Sequence, residues 1–210
     1  MLARQLGPGR ALEGVEELGL ERCCRGDAGA VELFQALCRE PQPPSGGSSD
    51  GDGDDKQQPQ QPRQSSSPCW RLRTLHLEGC GLGPAAMAGL RVVLSVKGGA
   101  KRAWAQSLVW LALPKNPLHG GHLNLAAALA AAGPGLALER LDVWSTGMSK
   151  AGALAWVGAL VRVDVVAAPR LVAMDVENQY PRLDVEAEAA LRGALRARRR
   201  AQRKGEGGMV

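Results

Sequence analysis

Aromatic side chains are scarce in this sequence, which contains one Phe, one Tyr and five Trp among 210 residues. The hydrophobic content of 45% comes mostly from Ala, Leu and Val, so we expect a core of small aliphatic side chains rather than large rings. Long uncharged apolar runs are also missing, because Gly and Pro at 133–135 interrupt the apolar stretch 123–138. No transmembrane helix is therefore expected. The first ten residues contain no apolar signal core.

Motifs of catalysis and cofactor binding are missing as well. The glycines of Gly79–Gly83 superficially resemble a dinucleotide loop, but no Asp or Glu lies between Gly79 and Leu138 to bind a ribose. His119 and His122 are three residues apart, yet no third metal ligand is near them in sequence. We therefore expect two ordinary surface histidines, no cofactor, no metal and no enzymatic activity.

The net charge of +5 is concentrated at one end of the chain. Residues 191–210 contain seven basic residues and one acidic residue, so the remainder is near −1. The basic run Arg196–Lys204 is typical of phosphate contacts or nuclear-import signals. One alternative function is therefore binding of nucleic acid, or import into the nucleus, through this tail.

A repeated pattern organises the rest of the sequence, and its clearest copy is the stretch 72–94. Leu75 and Leu77 alternate with polar residues, which predicts a short strand with one buried face. Gly83 and Pro84 then open a pattern of helical spacing. A single strand–turn–helix unit cannot bury its apolar side alone, so stacked copies are expected to share a continuous core.

Five copies can be aligned, at irregular intervals. They are Val15-x-x-Leu18-x-Leu20-x-x-Cys23, Leu72-x-x-Leu75-x-Leu77-x-x-Cys80, Leu108-x-x-Leu111-x-Leu113-x-x-Asn116, Leu138-x-x-Leu141-x-Val143-x-x-Thr146 and the degenerate Leu171-x-x-Met174-x-Val176-x-x-Gln179. This pattern resembles the leucine-rich repeats of the ribonuclease-inhibitor type, including their cysteine-containing variants. Thr146 and Gln179 depart from the usual Asn or Cys, so we expect the bend after the strand to be held less well there.

The resemblance implies an α/β solenoid shaped like a horseshoe, with parallel strands on the concave face and helices on the convex face. It also implies a non-enzymatic protein–protein interaction module, because such repeats are scaffolds for binding surfaces. Proteins of this type include ribonuclease inhibitors, sensor regions of NOD-like receptors and Ran GTPase-activating proteins. A GTPase-activating regulator of the Ran type is accordingly a further alternative function.

The pattern divides the chain into four parts. Residues 1–39 are predicted to hold the end of an upstream repeat plus repeat 1, and 71–196 to hold repeats 2–5, followed by a basic tail at 197–210. Residues 40–70 are rich in Gly, Ser, Pro, Gln and Asp and predict a disordered insertion. No cap precedes repeat 1, so self-association is expected at the N-terminal end.

The outward strand positions predict the binding surface on the concave face. Trp residues beside acids suit a protein partner with basic groups, because aromatic anchors dominate many interfaces; a solvated face without a partner is the competing interpretation. The other tryptophans, Trp70, Trp104 and Trp156, are expected in packing. The predicted partner-binding residues are Glu21, His76, Glu78, Trp110, Arg140, Asp142, Trp144, Asp175 and Glu177.

The five cysteines are odd in number and show no C-x-x-C spacing. We expect reduced thiols, and with them a cytoplasmic or nuclear protein. Cys23 and Cys80 occupy equivalent positions in adjacent repeats and are expected to lie close together as structural thiols, with a redox pair or metal site as the alternative.

Overall fold

The computed structural model describes residues 15–37, 72–95, 106–132, 135–161, 170–179 and 182–206. Several predictions from the sequence fall outside these ranges. They are the end of an upstream repeat, the insertion at 40–70, the two thiols of Cys38 and Cys69, and the packing of Trp70 and Trp104.

The described strands form one parallel sheet in chain order. Each strand is three residues long and pairs with the next in register, so that Leu75, Leu111 and Leu141 form one column. All three side chains are buried, as the leucine spacing predicted. The strands are β1 (Glu17–Gly19), β2 (Thr74–His76), β3 (Trp110–Ala112), β4 (Arg140–Asp142) and β5 (Ala173–Asp175).

A helix follows each of these strands, and every helix packs on the next one along the chain. The helices are α1 (Gly26–Leu37), α2 (Pro84–Ser95), α3 (Gly121–Ala132), α4 (Lys150–Val161) and α5 (Val185–Glu206). Their apolar side chains and the strand leucines belong to one core cluster, so the helices cover one side of the sheet. The predicted α/β class is confirmed.

The starts of α2 and α5 are capped by side chains, one from the neighbouring unit and one local. Asp184 accepts hydrogen bonds from the backbone N–H groups of Glu186 and Ala187, both at 3.1 Å, at the start of α5. Asp27 of α1 instead caps the neighbouring helix, accepting from Gly83 N–H and from Ala85 N–H at 3.2 Å. The second cap ties two successive strand–helix units together.

The same turn follows every strand. The third residue after each strand has a positive φ: 53° at Arg22, 60° at Gly79, 54° at Lys115, 55° at Ser145 and 50° at Asn178. Four of these five residues are not glycine, although side chains disfavour this left-handed conformation. A single backbone geometry thus recurs at all five turns. The next residue is buried at four of them, whereas Cys23 at the first turn is exposed.

The inward residue of the turn is polar in the centre of the sheet and binds the backbone of the preceding unit. Asn116 is buried, donates to Leu77 O at 2.6 Å and accepts from Leu82 N–H at 3.0 Å. The Cys80 thiol donates to Leu20 O at 2.7 Å. Backbone groups that the strand-to-helix bend would leave unpaired are satisfied in this way.

The expectation that Gln179 holds the bend less well is wrong, whereas the Thr146 hydroxyl donates within its own unit, to Val143 O at 2.6 Å. Gln179 donates to Val143 O at 2.7 Å and accepts from the N–H groups of Thr146 at 3.2 Å and Met148 at 2.8 Å. The bonds to Val143 and Met148 correspond to those that Asn116 makes two units earlier, to Leu77 and Leu82. Glutamine performs the same role because its longer side chain carries the same donor and acceptor groups.

Two further expectations from the sequence are corrected. His122 is not on the surface: it is fully buried near the start of α3, and only His119 is exposed. Cys23 is not the thiol beside Cys80, because it is exposed and donates to Glu21 O at 3.0 Å. Cys24 instead hydrogen-bonds with the Cys80 thiol; burial, and then that bond, raise the pKa of Cys24 to about 12. A thiol with this pKa stays protonated and is unreactive.

The long helix α5 covers the end of the structure after β5. Leu183, Ala187, Leu191 and Leu195 recur at four-residue spacing, all four are buried, and α5 packs on α4. Trp156 of α4 is also buried, in agreement with its predicted packing role. Among the described helices, none combines the length and the hydropathy that crossing a membrane requires.

Candidate interaction surface

The predicted binding residues lie on the side of the sheet opposite the helices, which we call the outer face. Its first two columns are the residues paired with Glu17 and with Gly19 on the other strands, and its third column consists of the residues two positions after the second, starting with Glu21. The third column lies beyond the strands, but backbone hydrogen bonds between neighbouring units continue there. Arg22 N–H donates to Glu78 O at 2.9 Å at one end of the column, and Ser145 N–H donates to Glu177 O at 3.0 Å at the other. The nine predicted residues are therefore aligned on one surface.

Trp110 is the centre of a stack on this face. Arg140 of β4 lies over the Trp110 ring, with its guanidinium carbon 4.3 Å from the ring centroid. His76 of β2 meets the same ring edge-on, with centroids 4.6 Å apart. His76 also lies 3.6 Å from the Glu17 carboxylate. Cation–π and edge contacts hold these planar groups in one orientation, which makes Trp110 a rigid feature of the outer face.

Trp144 forms a second aromatic feature, in the third column. The Lys115 ammonium lies 4.7 Å from the Trp144 ring centroid and also 2.5 Å from the Glu78 carboxylate. Glu78 is thus partly neutralised within the protein. Lys115 was missed in the sequence analysis because it follows Pro114 in the turn, and only the left-handed turn directs it back over the neighbouring strand.

Acidic groups that pair with no cation among the described residues are concentrated at the β4–β5 end. Asp142 and Asp175 are direct neighbours in the second column, and Glu177 follows two residues later. Burial raises the pKa of Asp142; the Trp144 backbone N–H lowers it, Asp175 and Glu78 raise it further, and His76 lowers it. Glu21, at the opposite end, is exposed, and its side chain forms no hydrogen bond or ion pair with the other predicted residues in the described part of the chain.

Helix α5 contributes arginines to this end of the outer face. A cleft of about 360 Å³ lies between α5 and strands β3 to β5. Trp110, Asp142, Asp175 and Glu177 line its sheet side. Arg192, Arg196 and Arg199 line its helix side. These arginines were grouped with the basic tail in the sequence analysis, although their i, i+4, i+7 spacing could have placed them on one helix face.

Part of the basic run Arg196–Lys204 is oriented by the protein itself. Arg198 is half-buried and donates to Leu160 O at 3.5 Å, and burial lowers the pKa of its guanidinium. Arg199 donates from Nε to Val172 O. Within the described residues, no cluster of three His, Cys, Asp or Glu side chains is arranged to hold a metal ion.

Comparisons with known proteins add no functional assignment to this geometry. No protein-family model matches the sequence. A search of the curated proteins likewise finds no significant match.

Proposed function

We propose that this chain is a leucine-rich-repeat solenoid of the ribonuclease-inhibitor type that binds a protein partner through its outer face. The repeat assignment is supported by the recurrence of one unit: a three-residue strand, a left-handed turn residue and, in four of the five units, a buried side chain directly after it. In a solenoid of this type, the outer face is the concave side and the helices are convex.

The observation that carries the binding proposal is the pair of tryptophans on the outer face. Trp110 and Trp144 are only half-buried although both are large and apolar, and each is held in place by a cation of the protein. Surface aromatic residues with few rotamers lose little entropy on binding, and Trp and Arg are enriched in interface hot spots. Rigid aromatic groups beside unpaired charges therefore favour a protein partner.

The dimensions of the face also favour a macromolecular partner over a small ligand. Five parallel strands spaced about 4.8 Å apart span roughly 20 Å. A surface of this width accommodates a helix or an extended segment of another protein. We propose a non-enzymatic function.

We further propose that the protein works in the cytoplasm or nucleus. Cys23, Cys24 and Cys80 carry free thiols, and Cys24 lies beside Cys80 without a covalent bond. Neighbouring thiols of this kind persist in compartments that glutathione and thioredoxin keep reducing.

Affinity capture with two matched charge reversals tests the binding proposal. The protein, its Asp175→Lys variant on the outer face and its Arg91→Glu variant on the exposed side of α2 are immobilised and exposed to nuclease-treated cell extract. Proteins held by wild type and Arg91→Glu but lost with Asp175→Lys are identified by mass spectrometry and purified. Direct titration should then show at least about tenfold weaker binding to Asp175→Lys, since a buried or close charge contact contributes more than 1.4 kcal/mol.

The opposite dependence would contradict the proposal. If captured proteins bind Asp175→Lys as well as wild type but are lost with Arg91→Glu, the helices and not the outer face form the interface. Retention that depends on omitting the nuclease, and that falls steeply with salt, would instead support the nucleic-acid alternative.

A further inference from the structure

The cleft beside α5 has an acidic floor, which carries three carboxylates and one cation, Arg140, whose guanidinium lies over the Trp110 ring. Trp144 N–H donates to Asp142 at 3.1 Å and Glu177 N–H donates to Asp175 at 3.0 Å, so both carboxylates are oriented by backbone bonds. Neither Asp142, Asp175 nor Glu177 forms an ion pair in the described part of the chain. Two adjacent carboxylates, one of them half-buried, repel each other and favour a cation between them.

The helix wall of the same cleft carries the opposite charge. Arg192 is paired with Glu188 of its own helix at 2.6 Å, and Arg199 donates to the Val172 carbonyl. Arg196 lies between them on the same helix face, is exposed, and makes no ion pair with any described residue. One guanidinium therefore faces the cleft with its charge unmatched.

The two walls do not neutralise each other. No ion pair among the described residues joins α5 to Asp142, Asp175 or Glu177, although both walls line one cleft. The intervening volume of about 360 Å³ is near the lower end of the range for binding sites, enough for a few side chains but not for a folded element. A ligand that satisfies both walls must carry both charges.

We propose that this cleft binds a segment of the partner protein in which a basic and an acidic side chain lie close together. The inference rests on the proposed function and names the partner's chemistry. The basic group lies between Asp142 and Asp175, the acidic group pairs with Arg196, and the apolar stems contact Trp110 and Met174. A purely basic segment would be repelled by the arginines, and a purely acidic one by the carboxylates.

A random-peptide library displayed on phage tests the proposal with the full chain as target. The best enriched peptide is synthesised together with versions in which its basic or its acidic residues are replaced by Gln, and dissociation constants are measured by calorimetry. The enriched sequences should carry both charges, and either replacement should weaken binding about tenfold, as expected for charge-assisted contacts.

Variants of the protein identify the wall that each charge contacts. The double variant Asp142→Asn, Asp175→Asn should bind the intact peptide about tenfold more weakly than wild type does. It should bind the peptide whose basic residues are replaced by Gln no more weakly than wild type does. Arg196→Gln should likewise bind the intact peptide more weakly than wild type does, and should bind the peptide whose acidic residues are replaced by Gln no more weakly. Glu17→Gln at the far end of the outer face and Arg200→Gln on α5 outside the cleft should leave binding within about twofold. Thermal unfolding followed by circular dichroism confirms that each variant is folded.

The outcomes separate this inference from the proposed function. Enriched peptides that no longer bind Trp144→Ala, but that bind the cleft variants as tightly as wild type, would overturn the mixed-charge site. The outer face would then still be an interface. Acid-only peptides that respond to Arg196→Gln alone would overturn it in favour of a simple anion site. Equal enrichment on wild type and on the triple variant of Asp142, Asp175 and Arg196 would also overturn it, whatever the affinity-capture result.

Discussion

Buried His122 should make the stability of this protein fall in mild acid. The Thr146 hydroxyl donates to Val143 O at 2.6 Å, so it can only accept from His122 Nε2, 3.1 Å away. Nδ1 of His122 is buried and has no hydrogen-bond partner. The neutral ring with its proton on Nε2 therefore fits the site, whereas a second proton would bring an unpaired N–H and a charge into the core.

The pKa of His122 agrees with this donor count. Burial lowers it from 6.5 to about 4; the Thr146 backbone raises it in part, and His119 lowers it slightly. The packing leaves little space for relaxation, since a Cβ atom added to Gly152 would lie 3.0 Å from His122 Cβ. Protonation is thus opposed by the close contact between α3 and α4 as well as by desolvation.

The sign of the effect follows from proton linkage. Between pH 6.5 and about 4 the unfolded chain binds a proton that the folded chain does not, so the stability present above pH 6.5 is lost as the pH falls through this range. Integration from about pH 7.5 to about pH 5 gives a loss of about 2 kcal/mol. For a chain of this length, that corresponds to a fall in Tm of roughly 4–8 °C.

Urea denaturation of wild type and His122→Gln at the two pH values measures the effect. Gln keeps a donor near Thr146 but cannot be protonated, so the variant should lack about 2 kcal/mol of the acid-induced loss. His119→Gln, which changes the exposed histidine, should retain the wild-type loss. The imidazole of His122 should also titrate near pH 4 by NMR. An equal loss of stability in wild type and His122→Gln, or a His122 midpoint near 6.5, would refute the reasoning.

Four further experiments test the fold. Leu111→Ala should cost about 2–5 kcal/mol because Leu111 is buried in the central column, whereas exposed Leu123→Ala should cost under about 1 kcal/mol. Urea denaturation measures both, and a cost below about 0.5 kcal/mol for Leu111→Ala contradicts the register. Gln179→Ala should cost about 2–4 kcal/mol, because it leaves two backbone N–H groups and a carbonyl unpaired; an unchanged urea midpoint contradicts the role given to this amide. Asp27→Ala should cost about 1 kcal/mol and speed amide exchange at Ala85, and exchange at the wild-type rate would show that the cap is unimportant. Limited proteolysis should cut first within residues 42–66 while the remaining chain stays associated, and a first cut inside α3 or α4 contradicts that prediction.

The elements of this fold could be predicted from local sequence because their signals are local. Alternation around Leu75, Leu111 and Leu141 defines the buried face of each strand within a few residues, and identical units stacked in order place these leucines in register. The buried face of α5 likewise follows from the spacing of Ala187, Leu191 and Leu195. The alignment of the predicted surface columns is a consequence of the same periodicity.

The partners of individual polar groups could not be read from spacing, because they depend on contacts between units. Gln179 replaces the usual asparagine only because its side chain reaches the turn of the preceding unit, and His122 is buried only because α4 packs over it at Gly152. Cys24 rather than Cys23 meets Cys80, because Cys23 is exposed although it follows the same left-handed turn that precedes a buried residue in the other four units.

The charge of the candidate site was decided by tertiary structure for the same reason. The sequence determined that Trp and acidic residues alternate with buried leucines, and hence that they share one face of the sheet. Only the packing of α5 after β5 brings Arg196 opposite Asp142 and Asp175, which are more than 20 residues away along the chain. Side-chain periodicity is a property of a few consecutive residues, whereas electrostatic complementarity depends on distances in space that the whole fold sets.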